Sequence, residues 1–165
     1  MKIQIGGLSE GIHQYSFQVP SSEVELGEHF HGDVHVEATL DKTTTQLLLK
    51  ANIRTVGRFE CDRCTAEFDA SLDPSYQMCY VTEADEYPGI DPDEMQVIPT
   101  GLSVIDIGED VRQMVLLAVP LKLLCKEACK GLCPHCGTNL NIDRCSCEDS
   151  GIDSRWEKLR RIQNN

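Results

Sequence analysis

The sequence lacks a long apolar run. The longest stretch, Met114 to Val119, is much shorter than the ~20 residues that a membrane-spanning helix needs. The opening residues 1–15 contain no apolar core of the kind found in secretion signals. We therefore expect a soluble, cytoplasmic protein without a membrane partner. Disulfides are rare in that compartment.

Positive charge is also scarce. The chain has 15 lysines and arginines against 27 aspartates and glutamates, and its formal net charge is −12. This balance argues against a broad nucleic-acid-binding surface built from charge alone, so any RNA contact would need a local patch. With 165 residues and 41% apolar side chains, the chain is long enough for one ordinary domain and a small appendage.

Cysteine, in contrast, is abundant and closely spaced. Six of the nine cysteines lie between Cys125 and Cys147. In a reducing compartment, such spacing favours metal binding over disulfides. The CxxC of Cys61 and Cys64 lies between two strand patterns, as in a zinc knuckle, whereas a redox CxxC would begin a helix.

Eight of the cysteines form four pairs, and two tetrahedral metal sites would use eight thiolates. The economical assignment places Cys61, Cys64, Cys125 and Cys129 around one ion. It places Cys133, Cys136, Cys145 and Cys147 around the other. Swapped pairings stay open, and an iron–sulfur cluster could use the same ligands, but we favour two structural zinc ions. Cys79 has no nearby cysteine and is expected to be a packing or surface thiol, while His135 is expected to be exposed.

Alternating apolar residues predict antiparallel strands over residues 33–40 and 46–60, with shorter strands through Phe68 and through Tyr76 to Tyr80. A hairpin arm is predicted within residues 2–20. An apolar stripe at helical spacing predicts one helix from Ile107 to Ala118, ended by Pro120. Asp106 and Glu109 are expected to act as its capping pair.

These patterns predict an α+β protein, in which a mainly antiparallel β-sheet domain packs against one helix and precedes a cysteine-rich zinc module. The β-rich domain spans residues 1–121 and includes the helix at 106–118. The zinc module covers residues 122–150. A short basic amphipathic tail, residues 151–165, carries Trp156 and either docks on the domain or binds a partner.

Three basic residues on one strand are the candidate RNA contacts. Lys50, Arg54 and Arg58 recur every four residues on the outward parity of the strand, so neighbouring charges lie ~13 Å apart. Arg63 in the first knuckle is a fourth candidate. A solvated sheet face and a phosphate-contacting stripe both account for this pattern. His29, His31 and His35 lack the spacing to complete a metal site and are expected at the surface.

The motifs together resemble one known family. A strand ends in CxRC (Cys61 to Cys64), and Phe68 comes soon after it. An acidic loop and a helix that begins after Ile105-Asp106 come next. The string CKGLCPHCGTNLN and a final CxC follow the helix. Over about residues 30–150 the chain is similar to the YceD family. These are bacterial and plastid proteins described as required for accumulation of 23S, large-subunit, ribosomal RNA. The resemblance implies a role in ribosome biogenesis with that RNA, or a pre-ribosomal particle, as the partner.

Three function classes can be compared. The first is an RNA-linked assembly factor whose basic stripe contacts phosphates while the metal sites hold its shape. The second is an interaction module that recruits a basic ribosomal protein or processing factor through its acidic loop and tail. The third is an enzyme, which we do not expect, because no nucleophile and base stand at a suitable spacing and all-cysteine sites are normally closed.

Overall fold

The computed structural model describes residues 1–82 and 91–147 of the chain. Its elements are β1 (Lys2–Gln4), β2 (Gly11–Pro20), β3 (Asp33–Lys42), β4 (Gln46–Glu60), β5 (Glu67–Leu72), β6 (Ser75–Val81), a 3-10 turn (Pro92–Glu94), β7 (Met95–Val97), β8 (Val104–Asp106) and α1 (Gly108–Leu117). The larger sheet has the order β2-β3-β4-β6-β7, and β5 pairs with the end of β4. All pairs in it are antiparallel except β6 with β7. The predicted α+β class is confirmed.

Strand β4 is the centre of the sheet. Its first half pairs with β3 and β6, and residues Thr55 to Glu60 pair with β5. Along β4 the buried residues alternate strictly with half-buried or exposed ones, as the sequence predicts for a strand with one face on a core. Because β4 extends beyond its other partners, it carries Cys61 away from the main sheet to the turn before β5.

Helix α1 covers the inward face of the sheet. Ile107, Val111 and Val115 are completely buried, so the predicted apolar stripe is confirmed and the helix bounds agree within one residue. The predicted capping pair is wrong. Asp106 accepts the Gly108 N–H at 3.0 Å, whereas the Glu109 carboxylate accepts hydrogen bonds from the side chains of Arg112 and Gln113. Asp106 ends β8 and therefore makes a local turn to Gly108 instead of a reciprocal box.

The predicted N-terminal hairpin arm is also wrong. Strand β1 pairs with β8 in the register Ile3 to Ile105, and β2 pairs with β3 along its whole length. Ile3 and Ile105 are both buried in the core. Alternation predicts that a segment is a strand but does not identify its partner, and β3 offers β2 ten paired residues where β1 could offer three.

The acidic residues 83–90 and the predicted tail at 151–165 lie outside the described residues. In the part that is described, no helix has the length and apolar character needed to cross a membrane.

Candidate metal centres

The first cysteine group joins the end of the sheet to the chain after α1. The Sγ atoms of Cys61, Cys64, Cys125 and Cys129 all lie within 4.8 Å of one another. Cys61 and Cys129 are 3.8 Å apart, and Cys64 and Cys125 are 3.7 Å apart. Four sulfurs at ~2.3 Å from a tetrahedral zinc ion stand about 3.8 Å from each other. This group, which we name centre 1, therefore has the spacing of a metal site.

The second group closes within the cysteine-rich module. Cys133, Cys136, Cys145 and Cys147 also place their Sγ atoms within 4.8 Å of one another. The Cys145 sulfur is 3.3 Å from that of Cys133 and 3.5 Å from that of Cys136. Cys136 and Cys147 are exposed, whereas three of the centre 1 cysteines are buried. This group, centre 2, could hold an ion at the surface. The structure thus assembles the two groups that the sequence favours as the economical assignment.

The thiols within each group oppose each other's ionisation. The backbone N–H of Cys125 is the main cause that lowers the pKa of Cys61 to about 6, whereas burial and neighbouring thiols raise the pKa of Cys125 to about 12. In centre 2, Thr138 lowers the pKa of Cys136 to about 6, and Cys145 is the main cause that raises the pKa of Cys147 to about 12. Four thiolates so close together need a cation to coexist, which is the condition that a bound metal satisfies.

The two knuckles share one hydrogen-bond pattern. The N–H of Cys61 donates to the Ala66 oxygen at 3.0 Å, and the N–H of Cys133 donates to the Thr138 oxygen at 2.8 Å. The N–H of Thr65 donates to the Cys61 oxygen at 2.9 Å, and that of Gly137 donates to the Cys133 oxygen at 2.9 Å. Each knuckle therefore turns its two sulfurs to one side through the same backbone fold.

The residue after each knuckle has a left-handed backbone, with φ of 75° at Gly137 and 53° at Thr65. Glycine adopts this conformation freely, but a β-branched residue does so under strain. We expect Thr65→Gly to raise the free energy of unfolding of the metal-loaded protein by about 1 kcal/mol. Urea denaturation measures this change, and Gly137→Thr is the reciprocal variant, expected to lower stability. Equal stabilities of Thr65→Gly and the parent would contradict the strain argument.

Residues Leu123 to Leu132, which we name the clasp, are bound to the first knuckle by backbone contacts as well as by sulfur. Asp62 N–H donates to the Leu123 oxygen at 2.8 Å, and Leu123 N–H donates to Asp62 Oδ2 at 2.7 Å. Arg63 Nη1 donates to the Cys129 oxygen at 2.8 Å, and the Arg63 oxygen accepts the Leu132 N–H at 3.0 Å. Arg63 therefore has a structural use that its sequence position did not indicate.

Asn141 links the two centres, and the sequence reasoning did not single it out. Its Nδ2 donates to the Cys129 sulfur at 3.3 Å, and its Oδ1 accepts the N–H of Lys130 at 3.0 Å. Asn141 lies between the ligand pairs of centre 2 but donates to a sulfur of centre 1. Residues of this kind orient metal ligands and adjust their charge. The GTNLN string after Cys136 is the signal that could have identified it.

The candidate RNA stripe lies where the strand pattern predicts, on the exposed outward parity of β4. Two of its residues have acidic partners. Arg54 Nε is 3.1 Å from Asp73 Oδ1, and Arg58 Nε is 2.8 Å from Asp69 Oδ1. Lys50 makes no ion pair with any residue in 1–82 or 91–147. Part of the positive charge expected on this face is therefore neutralised within the sheet.

No histidine side chain belongs to the group of potential metal ligands in either centre. His29, His31, His35 and His135 are exposed, as expected. The ring of His29 stacks on Phe59 with 5.9 Å between centroids. Cys79 is fully buried in β6, so it is a packing thiol.

A largely antiparallel sheet with one helix and two four-cysteine groups, each of which could hold a metal ion, defines a small β-sheet protein with candidate metal centres. A sequence model of the family described as large ribosomal RNA subunit accumulation protein YceD matches residues 49–163. The chain belongs to this family. The match contains both knuckles, the clasp and α1, and it begins within β4.

Curated relatives agree with the family. The chain is 26% identical to the chloroplastic large ribosomal RNA subunit accumulation protein YCED homolog 1 of Arabidopsis thaliana, over 79% of this chain and 48% of that protein. It is 38% identical to the homolog 1 of Zea mays over 38% of this chain and 22% of that protein. An uncharacterized protein of Mycobacterium tuberculosis is 33% identical over 64% of this chain and 49% of its own length. The chain thus spans half or less of these relatives. No solved structure gives a significant match.

Proposed function

We propose that this protein is a non-enzymatic factor in ribosome biogenesis, needed for accumulation or processing of 23S ribosomal RNA, and that it acts in the cytoplasm by binding that RNA or a pre-ribosomal component. The observation that carries the proposal is the family match over residues 49–163, because its printed description names large ribosomal RNA accumulation. The name of the Arabidopsis thaliana relative supports the same role. Neither description names a reaction.

We further propose that both centres hold structural zinc. Each offers four thiols at tetrahedral spacing, and an all-cysteine site leaves no ligand position for a substrate or a reactive water. In this role, Cys61, Cys64, Cys125 and Cys129 fasten the clasp to the sheet. Cys133, Cys136, Cys145 and Cys147 close the module that follows. Lys126, Lys130 and Arg144 lie among the ligands and offset the negative charge of the thiolates.

RNA contact is proposed for Lys50, Arg54 and Arg58, with Arg63 as the least suitable candidate because its guanidinium is used inside the clasp. The ion pair of Arg58 with Asp69 is exposed to solvent and therefore weak, so phosphate groups could displace the carboxylate. The two ion pairs of this stripe, with the net charge of −12, favour the second candidate function, in which the protein recruits a basic ribosomal protein or processing factor.

Charge reversal distinguishes these two modes. If the stripe contacts phosphates, the triple variant Lys50→Glu, Arg54→Glu and Arg58→Glu is expected to reduce co-sedimentation with large-subunit precursors at least tenfold, with stronger loss at low salt. The matched variant Asp69→Asn with Asp73→Asn frees both arginines and is expected to retain or increase association. Unchanged association of the triple variant would contradict the RNA mode and leave protein recruitment as the better proposal.

A further inference from the structure

The loop of residues 137–144, which joins Cys136 to Cys145 within centre 2, contains no buried side chain. Over the wider range 134–147 no residue is buried either, so apolar burial contributes little to the stability of the loop. The cysteine sulfurs at its two ends lie 3.5 Å apart. In small modules without a hydrophobic core, metal binding supplies the free energy of folding. The conformation of this loop therefore depends on whether centre 2 is complete.

The same loop lies against the end of the clasp. The N–H of Leu140 donates to the Gly131 oxygen at 3.0 Å, and Leu132 pairs with Asn139 in an isolated antiparallel bridge. A Cβ on Gly131 would stand 3.1 Å from the Arg63 oxygen, so the clasp and the first knuckle are closely packed at this point. The residue that follows Leu140 is therefore held beside the ligands of centre 1.

That residue is Asn141, and its partners fix the orientation of its side-chain amide. The backbone N–H of Lys130 can only donate, so the atom it contacts at 3.0 Å is Oδ1. Nδ2 then faces two acceptors, Oδ1 of Asn139 at 2.9 Å and the sulfur of Cys129 at 3.3 Å. Oδ1 of Asn139 also accepts the backbone N–H of Asn141 at 3.0 Å, which holds the amide in place. The second hydrogen of Nδ2 is thus directed at a sulfur of centre 1.

We propose that Asn141 is a positioning residue that couples metal binding at the two centres. Completion of centre 2 fixes the loop, and the fixed loop holds Nδ2 of Asn141 on the Cys129 sulfur. That hydrogen bond stabilises a negatively charged ligand of centre 1, so it strengthens metal binding there. Coupling between two sites is reciprocal, so completion of centre 1 strengthens centre 2 by the same factor. The chain therefore takes up both zinc ions over a narrow range of free zinc concentration.

The inference rests on the proposed structural zinc in both centres, and it is tested on the full-length chain by competition for zinc with a chromophoric chelator. Asn141→Ala is expected to lower the overall constant for binding two zinc ions by about tenfold or more, because it removes a hydrogen bond to a metal ligand. Ile142→Ala changes the adjacent side chain, which is 79% exposed, and is the matched control. It is expected to leave the constant within about twofold of the parent.

A double-mutant cycle isolates the coupling from the direct effect of the substitution. The variant with Cys145→Ser and Cys147→Ser, which we name the open-loop variant, lacks the two ligands that close the loop. In this variant Asn141→Ala is expected to change the zinc affinity of centre 1 by less than about threefold, because the amide is no longer held on the Cys129 sulfur. The difference between this effect and the effect in the parent is the coupling factor.

Cadmium-113 NMR separates this role of Asn141 from a purely structural one. The cadmium-loaded parent is expected to give two resonances, and centre 1 is assigned through scalar couplings to the β-protons of Cys61 and Cys64. Loss of the hydrogen bond changes the electron density on the Cys129 sulfur. Asn141→Ala is therefore expected to move the centre 1 resonance and to leave that of centre 2 in place. The open-loop variant is expected to move the centre 1 resonance in the same direction, with no further movement when Asn141→Ala is added.

Three outcomes would overturn the proposal. They are an unchanged two-zinc constant in Asn141→Ala, an equal effect of this substitution in the parent and in the open-loop variant, and a centre 1 resonance that does not move. A parent chain that binds fewer than two zinc ions would overturn the proposed zinc role together with this inference. Two zinc ions bound with independent affinities would overturn the inference alone. Because these measurements involve no rRNA, the role in rRNA accumulation is judged separately by co-sedimentation.

Discussion

Replacing Cys129 with serine is expected to remove one of two zinc equivalents and to detach the clasp from the sheet. The Cys129 sulfur is buried, lies 3.8 Å from that of Cys61, and accepts a hydrogen bond from Asn141. A serine hydroxyl is a poor zinc ligand at neutral pH, so the remaining thiolates would be left close together without their cation. We expect the free energy of unfolding to fall by more than about 4 kcal/mol, the range associated with loss of a metal site.

Two other cysteines provide controls for this prediction. Cys79→Ser changes a buried thiol in β6 that belongs to neither centre, so it is expected to retain both zinc equivalents. Cys136→Ser alters the exposed centre 2 and is expected to remove one equivalent while the sheet stays folded. Elemental analysis of zinc per chain and urea denaturation are the measurements. Full zinc content in Cys129→Ser, or free thiols throughout the parent protein, would show that centre 1 is not a metal site.

Gly57→Ala is expected to destabilise the protein by about 3 kcal/mol, although alanine is usually tolerated in a strand. A Cβ at this position would stand 2.5 Å from two carbon atoms of the Phe59 ring and 3.4 Å from Phe30. The Phe59 ring cannot move aside easily, because it is buried, packs edge-on against Phe30 and has His29 stacked on it. The cost is therefore steric overlap in a packed core.

The measurement is again urea denaturation of the metal-loaded protein. Asn52→Ala, an exposed change on the same strand, is the matched control and is expected to stay within about 0.5 kcal/mol of the parent. A second variant, Gly57→Ala combined with Phe59→Leu, should recover part of the loss because leucine vacates the space that the ring fills. If Gly57→Ala unfolds at the same urea concentration as the parent, the Phe59 ring moves aside despite its packing against Phe30 and His29, and the prediction is wrong.

Periodicity was sufficient to predict β3, β4 and α1. In each of them one face packs against the core, so the alternation or stripe of apolar residues follows directly from burial. The cysteine groups were also predictable, because a tetrahedral ion needs four thiolates and closely spaced pairs combine in few ways. Centre 1 was the economical choice, since it uses the pair that directly follows the helix.

Contacts between strands were not predictable, because they depend on register. Arg58 lies directly opposite Asp69 across β4 and β5, so a residue that looks like a phosphate contact in sequence is paired within the sheet. The partner of β1 could not be predicted for the same reason, because β8 lies about 100 residues further along the chain. Arg63 and Asn141 act through backbone and sulfur atoms of distant loops, and no spacing rule reveals such partners.

The two centres differ in how far apart their ligands lie along the chain. Cys133 and Cys145 are separated by 12 positions, whereas Cys64 and Cys125 are separated by 61. Bringing the more distant pair together costs about 1.4 kcal/mol more chain entropy. During synthesis, the first knuckle must also wait until α1 and the clasp have emerged, several seconds later at ~5–20 residues per second. The thiols of Cys61 and Cys64 therefore stay without the other two ligands of centre 1 until the clasp has been synthesised, whereas the four cysteines of centre 2 follow one another within 15 residues.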